Sequence, residues 1–182
     1  MQAKRRISLT GSVRVLTMAA MLTALSVIIG YICKTIPALN LGAGLRITFE
    51  NLPIILSGIM FGPIVGGCVG CIADLLSCLA SGQSPLPFVL VGSISVGIVA
   101  GITSKCIFKK SGLKKIIFSE IFAHLVGSMI IKTITLYFVF GPVVALRIPI
   151  SLGVLIVEIA LLCIMYKNKA IRKLIDTKWG RT

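Results

Sequence analysis

Long apolar runs dominate the chain and are separated by short polar or glycine- and proline-containing segments. Their length predicts membrane-spanning helices, because a spanning strand would show only about ten residues of alternating polarity. Six such spans are predicted, at residues 13–33, 46–61, 63–80, 88–104, 116–139 and 148–166.

The second and third spans come from a single apolar block, residues 45–80. One helix of that length would measure about 54 Å, whereas the hydrocarbon core of a bilayer is about 30 Å thick. Phe61, Gly62 and Pro63 lie in the middle of the block, and a Gly-Pro pair strongly favours a break. The sequence therefore predicts two helices that meet at this point.

Composition supports a membrane protein. Hydrophobic residues make up 57% of the chain and charged residues 13%, whereas soluble domains carry about 25% charged residues. Lipid must therefore cover most of the surface, and in lipid the backbone has to satisfy its own hydrogen bonds. The predicted fold class is an all-α integral membrane protein with six transmembrane helices.

The net charge of +14 is concentrated in three regions. These regions precede the first span, join the fourth to the fifth, and follow the sixth, so six spans place all three on one side. By the positive-inside rule that side is the cytoplasm, and both termini are cytoplasmic. The charge then reflects topology and attraction to anionic lipid rather than nucleic-acid binding. The fifteen residues, of 19 basic residues in all, are Lys4, Arg5, Arg6, Arg14, Lys105, Lys109, Lys110, Lys114, Lys115, Lys167, Lys169, Arg172, Lys173, Lys178 and Arg181.

This topology divides the chain into a cytoplasmic N-terminus (residues 1–12), a six-helix transmembrane domain (13–166) and a basic cytoplasmic tail (167–182). Apolar residues recur within the tail, which predicts that it continues as an amphipathic helix at the membrane surface.

The other four basic residues lie toward the outer side: Lys34, Arg46, Lys132 and Arg147. Charges inside a membrane are costly and normally face a cavity or a partner. For Lys34 we expect instead that the side chain reaches out to the interface. Lys132 has apolar neighbours on both sides, so it is the strongest candidate for a functional charge.

Further ionisable residues within the spans are Glu50, Asp74, Glu120, His124 and Glu158, of which Asp74, His124 and Glu158 are the candidates for a role. For the two acids, an internal ion pair and a direct ligand contact are both open. Lys132 follows His124 by eight residues, so we expect both on roughly one face of the fifth helix. His124 itself is either a packed, hydrogen-bonded residue or a ligand contact.

Small residues recur at a spacing of four, which lets helices approach closely. In the third and fourth spans we interpret this spacing as internal packing, whereas a small patch that faces outward would dock another membrane protein. The repeats are Ala20 with Ala24, Gly66 with Gly70, Gly97 with Gly101, and Ala123 with Gly127.

Common catalytic motifs are absent from the sequence. It contains no GxxxxGK[ST] phosphate loop, no HExxH and no GxSxG. We therefore predict no ATP hydrolysis by this chain, no catalytic residues, no cofactor and no metal site. The six cysteines lie in or beside apolar runs and are interpreted as packing residues.

Several stretches resemble the substrate-binding S component of energy-coupling factor (ECF) vitamin transporters, and most closely the folate branch. They are residues 45–54 (LRITFENLPI), residues 58–63, the glycine-spaced helix that ends in Asp74, residues 123–132 (AHLVGSMIIK) and residues 147–149. The first-helix Ala20 and Ala24 have the spacing typical of these components.

The resemblance implies a non-catalytic six-helix subunit of an ABC-type importer in the cell membrane. Such a subunit binds its vitamin at the extracellular face and docks through Ala20 and Ala24 onto a transmembrane T component, which two cytoplasmic ATPases drive. It is thought to topple in the membrane and release the vitamin inside.

A folate site would need cations for the two carboxylates, aromatic rings for stacking and polar groups for the pterin. The candidate cations are Arg46, Lys132 and Arg147, and the candidate aromatic rings are Phe49 and Phe88. Thr48, Asn51 and Gln83 are the candidate polar groups, and His124 is a further candidate contact.

The third-span end and the following loop depart from the folate branch, because residues 74–78 (DLLSC) lack the usual Gly-Tyr and residues 81–85 (SGQSP) lack an aromatic residue. Another vitamin, such as pantothenate, is therefore an alternative. Two further alternatives are a small intramembrane enzyme that uses Asp74 and His124, and a structural or assembly subunit.

Overall fold

The protein was analysed as a computed structural model, which describes residues 9–37, 40–42, 45–84, 87–106, 113–141 and 147–169. Apart from one small ribbon, the regular structure in these ranges is helical. The elements are α1 (Leu9–Thr35), β1 (Asn40–Gly42), β2 (Leu45–Arg46), α2 (Asn51–Phe61), α3 (Pro63–Ala80), α4 (Pro87–Cys106), α5 (Leu113–Ala123), a π-helical segment (His124–Ile131), α6 (Lys132–Phe140) and α7 (Arg147–Lys167).

Four helical stretches within the described ranges are long and apolar enough to cross a membrane: Val13–Thr35, Pro63–Ala80, Leu113–Phe138 and Arg147–Lys167. Two shorter apolar helices, Asn51–Phe61 and Val89–Lys105, accompany them. Large apolar side chains point outward along the longer helices. In water such a surface would cause aggregation, whereas in a bilayer it contacts lipid chains. The chain is therefore a membrane protein, and its six spans and their orientation stay predictions.

The second predicted span begins later than expected. Residues 46–61 were predicted as one helix, but β2 pairs antiparallel with β1, with Arg46 opposite Asn40, and α2 begins only at Asn51. The apolar pattern could not distinguish this ribbon from a helix start, because so short an apolar segment is compatible with either a strand or a helix. The resulting α2 is short, and all of its residues are buried.

The break between α2 and α3 is confirmed. Gly62 has φ +102°, a backbone conformation that L side chains rarely adopt, and its N–H donates a hydrogen bond to the Gly58 carbonyl. Pro63 then occupies the first turn of α3, where the absence of an N–H has no cost. The two helices can consequently reverse direction without a loop.

Glycines form the crossing between α3 and α4. A Cβ atom at Gly97 would lie 2.1 Å from the carbonyl oxygen of Gly66, and one at Gly70 would lie 2.4 Å from the Ser93 carbonyl. At Gly101 the obstacle is the backbone of Pro63. The expected internal packing of these small residues is confirmed, since only glycine permits this close backbone approach.

The predicted fifth span is one long helical stretch with a π-helical centre. Gly127 packs against Val96 of α4 inside this centre, and Ala123 just before it is buried. The expectation that His124 and Lys132 share a face assumed α-helical spacing, whereas the π-helix changes the angle between the two residues. Both side chains are nevertheless buried.

Some predictions fall outside the described residues. They concern the first basic segment (residues 1–8), most of the basic loop (107–112) and the amphipathic tail beyond residue 169.

Candidate functional site

A buried lysine at the end of α1 organises the candidate site. Lys34 Nζ lies 3.4 Å from Glu50 Oε2 and 3.4 Å from Asp74 Oδ1, and it also donates a hydrogen bond to the Ser77 hydroxyl. Its side chain is 2% exposed. The prediction that Lys34 reaches the interface is therefore wrong. Two carboxylates hold the ammonium group inside the protein, and their attraction offsets the cost of removing its charge from water.

A second buried lysine approaches the same carboxylate from the opposite side. Lys132, at the start of α6, donates a hydrogen bond to Asn51 Oδ1 at 3.3 Å, and its Nζ lies 3.9 Å from Glu50 Oε1. Glu50 thus lies between the two lysines, and the Ser26 hydroxyl donates to its backbone carbonyl at 2.8 Å. We call Lys34, Glu50, Asp74 and Lys132 the ion-pair cluster.

The ion-pair cluster lies on the wall of a small cavity, here called the charged cavity, with a volume of about 40 Å³. That volume holds a few water molecules. Three cationic and two anionic side chains line it, which leaves one net positive charge when all are ionised. The lining residues are Lys34, Thr48, Glu50, Asp74, Cys78, Gln83, Ser84, Val89, Lys132, Leu136 and Arg147.

Three of the residues that line the charged cavity lie at helix ends. Lys34 is in the last turn of α1, Glu50 precedes the first residue of α2, and Arg147 opens α7. The positions of Lys34 and Glu50 are favourable, because a helix C-terminus attracts cations and an N-terminus attracts anions. Charged side chains from several helices are therefore brought together around one cavity.

Four of the predicted ligand residues line the charged cavity: Thr48, Gln83, Lys132 and Arg147. Asn51 is buried behind Lys132 as its hydrogen-bond acceptor. The side chains of Arg46 and Phe88 lie outside the described part of the structure, and Phe49 is half-buried and does not line the cavity.

His124 belongs to different surroundings. Its Nε2 lies 3.5 Å from Glu158 Oε2 on α7, and neither residue lines the charged cavity. For Glu158 the structure thus favours the internal contact over a ligand contact. Asp74 combines both expectations, since it pairs with Lys34 and also lines the cavity.

Sequence reasoning missed Lys34 and Glu50 as parts of the site. Two glycines in neighbouring helices could have indicated where buried charged side chains pack. A Cβ at Gly30, four residues before Lys34, would lie 2.6 Å from Glu50 Oε2, and one at Gly92 would lie 2.5 Å from Lys132 Cγ. Glycine thus marks the helix face against which each buried charged side chain packs.

A second feature is an apolar groove between α1 and α3, with a volume of about 700 Å³. Ala20 and Ala24 are exposed on its floor, whereas the neighbouring Ala19 is buried. We call it the α1–α3 groove. Its lining residues are Leu16, Ala19, Ala20, Thr23, Ala24, Val27, Ile28, Ile64, Val65, Cys68, Val69, Ile72 and Leu76.

The arrangement suits binding rather than catalysis. Asp74 and His124 are the pair considered for an intramembrane enzyme, and of the two only Asp74 lines the charged cavity. Within the described ranges no group of three or more His, Cys, Asp or Glu side chains is placed to hold a metal ion. A charged cavity with excess cation can instead hold an anionic group by charge-assisted hydrogen bonds.

Comparison with known proteins agrees with this interpretation. Residues 14–166 match a family described as "ECF transporter, substrate-specific component". The chain is also 35% identical over 102 residues to an "Uncharacterized protein MG098 homolog" of Mycoplasma pneumoniae, an alignment that covers 54% of this chain and 21% of that protein. The chain thus spans about a fifth of that relative's length. No solved structure matches.

Proposed function

The chain belongs to the family of ECF transporter substrate-specific components, and we propose that it binds folate at the charged cavity. From this membership we further propose that the chain is a non-catalytic, substrate-binding subunit of a membrane transporter. Which vitamin it carries, where the vitamin binds and which surface meets the transporter are our proposals.

The observation that carries the proposal is the charged cavity itself. Lys132 and Arg147 line it together with the polar side chains of Thr48 and Gln83. Folate ends in a glutamate with two carboxylates, which an arginine and a lysine can bind by charge-assisted hydrogen bonds. The remaining predicted ligands, Arg46, Phe49, Asn51, Phe88 and His124, would extend this site toward the ring system or support it from behind.

Folate binding requires the cavity to enlarge. Its present volume of about 40 Å³ is far below the roughly 300–1,000 Å³ of sites that hold drug-sized ligands. The helix ends around the cavity must therefore separate when the vitamin enters, and the ion-pair cluster must accept new partners.

We place the charged cavity at the extracellular side of a multi-pass protein in the cell membrane. With six spans and a cytoplasmic N-terminus, α1 reaches the outer side at Lys34, so the cavity opens outward. Support comes from the 15 basic residues that the same topology assigns to the cytoplasm.

We further propose that the α1–α3 groove receives the T component of the energising module. The exposed Ala20 and Ala24 leave room for a partner helix to approach closely. Two separate ATPase subunits would then supply the energy, in keeping with a sequence that has no phosphate-binding loop.

Uptake into liposomes tests the complete proposal. Full-length chain reconstituted with an ECF module should accumulate radiolabelled folate when ATP is enclosed. Omission of the chain or of ATP should abolish accumulation. ATP-dependent uptake of another vitamin with none of folate would retain the transport role and overturn the substrate.

Pantothenate is a second candidate. It has one carboxylate, which matches the single net positive charge of the cavity, and it is smaller than folate. The altered residues 81–85 also favour a ligand other than folate, because Gln83 and Ser84 of this loop line the cavity. Parallel uptake measurements with both vitamins distinguish the two.

A further inference from the structure

A second buried polar cluster lies within the helical bundle, apart from the charged cavity. Glu120 of α5 and Glu158 of α7 are each 0% exposed, and His124, one turn after Glu120, is 1% exposed. The carboxyl groups of the two glutamates adjoin each other. On its other side, Glu158 Oε2 lies 3.5 Å from His124 Nε2. We call Glu120 and Glu158 the acid pair, and the acid pair together with His124 the second cluster.

The carboxylate oxygens of this cluster have no donor. Among the described residues, both oxygens of Glu120, both oxygens of Glu158 and Nδ1 of His124 have no hydrogen-bond partner. An ionised carboxylate only accepts hydrogen bonds, so two facing carboxylates cannot satisfy each other. Two adjoining negative charges also repel each other, and a buried carboxylate without a partner is strongly unfavourable.

Charged groups on neighbouring elements do not provide the missing donor. Lys132 and Arg147 influence His124 electrostatically, and Lys132 and Glu50 influence Glu158, but none of them contacts the acid pair at hydrogen-bond distance. The only charged residue of α4, which packs against α5, is the exposed Lys105.

We propose that Glu120 and Glu158 form an intramembrane proton-binding site in which one proton is shared between the two carboxyl groups. The bound proton gives Glu120 an O–H that donates to Glu158, and the neutral imidazole of His124 donates from Nε2 to the same glutamate. This arrangement gives Glu158 two hydrogen-bond donors and removes one of the two buried negative charges. The site is independent of the vitamin, so its test requires no substrate.

Infrared spectroscopy detects such a proton directly, because a protonated carboxyl group has a C=O stretch that a carboxylate lacks. Full-length chain would be measured at neutral pH in a maltoside detergent, which has no carbonyl of its own. We expect a protonated-carboxyl band in the native protein and its loss in the double variant Glu120→Gln/Glu158→Gln. Each single Gln variant should shift the band, since the amide alters the partner of the remaining carboxyl.

The lysine-bridged carboxylates provide the control. Glu50→Gln and Asp74→Asn should leave the band in place, because each of these carboxylates pairs with the Lys34 ammonium group and neither belongs to the proposed site. Absence of the band in the native protein, or its survival unchanged in the double variant and both single variants, would overturn the proposal. A band that appears only when choline replaces sodium would assign the site to a metal cation instead.

Discussion

At the scale of single residues, the two buried lysines differ in their surroundings. Lys34 has two carboxylate oxygens at 3.4 Å, whereas Lys132 has one at 3.9 Å and otherwise an amide oxygen. Lys34 therefore has its anionic partners within the fold, and we propose that Lys132, with weaker internal contacts, is the lysine that meets a ligand. We therefore predict that Lys34 contributes mainly to stability and Lys132 mainly to vitamin affinity.

Replacement of Lys34 should reduce stability. Lys34→Met leaves Asp74 without its cation inside the protein, and loss of one partner from a buried ion pair typically costs about 3–5 kcal/mol. Thermal unfolding in detergent, followed by aggregation or thiol exposure, measures the effect. The matched control is Lys167→Met, an exposed lysine at the end of α7, which should change stability by less than about 1 kcal/mol. Equal thermal stability of both variants would contradict the pairing.

Replacement of Lys132 should instead reduce vitamin affinity. Lys132→Met removes a cation that a ligand carboxylate would bind, and a hydrogen bond to a charged group is worth about 1.5–3 kcal/mol, or roughly 10- to 100-fold in affinity. Glu50 keeps Lys34 as its partner, so the fold should remain stable. Equilibrium binding with a thermal-stability measurement separates these effects; an unchanged affinity would remove Lys132 from the site.

At the scale of elements, the crossing of α3 and α4 depends on glycine. A methyl group at Gly97 would overlap the Gly66 carbonyl, and neither backbone can move without separating the helices. Gly97→Ala should therefore destabilise the protein by at least about 1–3 kcal/mol, the usual cost of overpacking. Thermal unfolding is again the measurement.

Gly153→Ala is the matched control for this crossing. Gly153 lies within α7, and a Cβ there would meet nothing within 4 Å. Alanine favours a helix over glycine by about 1 kcal/mol, so this variant should be neutral or stabilised. A similar loss of stability in both variants would show that the α3–α4 contact is looser than described.

The sequence allowed some of these elements to be predicted, and the reasons are local. Gly62 and Pro63 specify the α2–α3 break through backbone conformation alone, so the pattern revealed it. The start of α2 depends on pairing between Asn40 and Arg46, a contact between segments that apolar periodicity does not encode. The π-helical centre at His124–Ile131 likewise has no signature in hydrophobic spacing.

Part of the candidate site was also predicted from the sequence. Lys132 and Arg147 were identified because a charge within or beside an apolar span is unusual. Lys34 was assigned wrongly, because a lysine at the end of a span can reach the interface or turn inward with equal ease. The outcome depends on the rotation of α1 that brings Gly30 against Glu50, which becomes known only once the helices are packed.

At the scale of the whole molecule, the proposal separates two surfaces: the charged cavity binds the vitamin and the α1–α3 groove meets the T component. Ala20→Trp would fill the groove and should abolish transport and co-purification of the T component. Vitamin binding should remain, because the cavity has different lining residues.

Ala160→Trp is the matched control for the groove. Ala160 is exposed on α7, outside the groove, so a tryptophan there adds the same bulk toward lipid. Transport should remain near the native level in this variant. Transport by Ala20→Trp at the native rate would mean that the module docks elsewhere.

Isothermal titration calorimetry of the purified full-length chain with folate, without any partner subunit, is the decisive test of folate binding. We predict saturable binding of one folate per chain with a Kd below about 1 μM, which corresponds to about −8 kcal/mol. Pantothenate in the same titration should bind much more weakly. No folate binding in this range, by a protein that remains folded and monodisperse, would contradict the account.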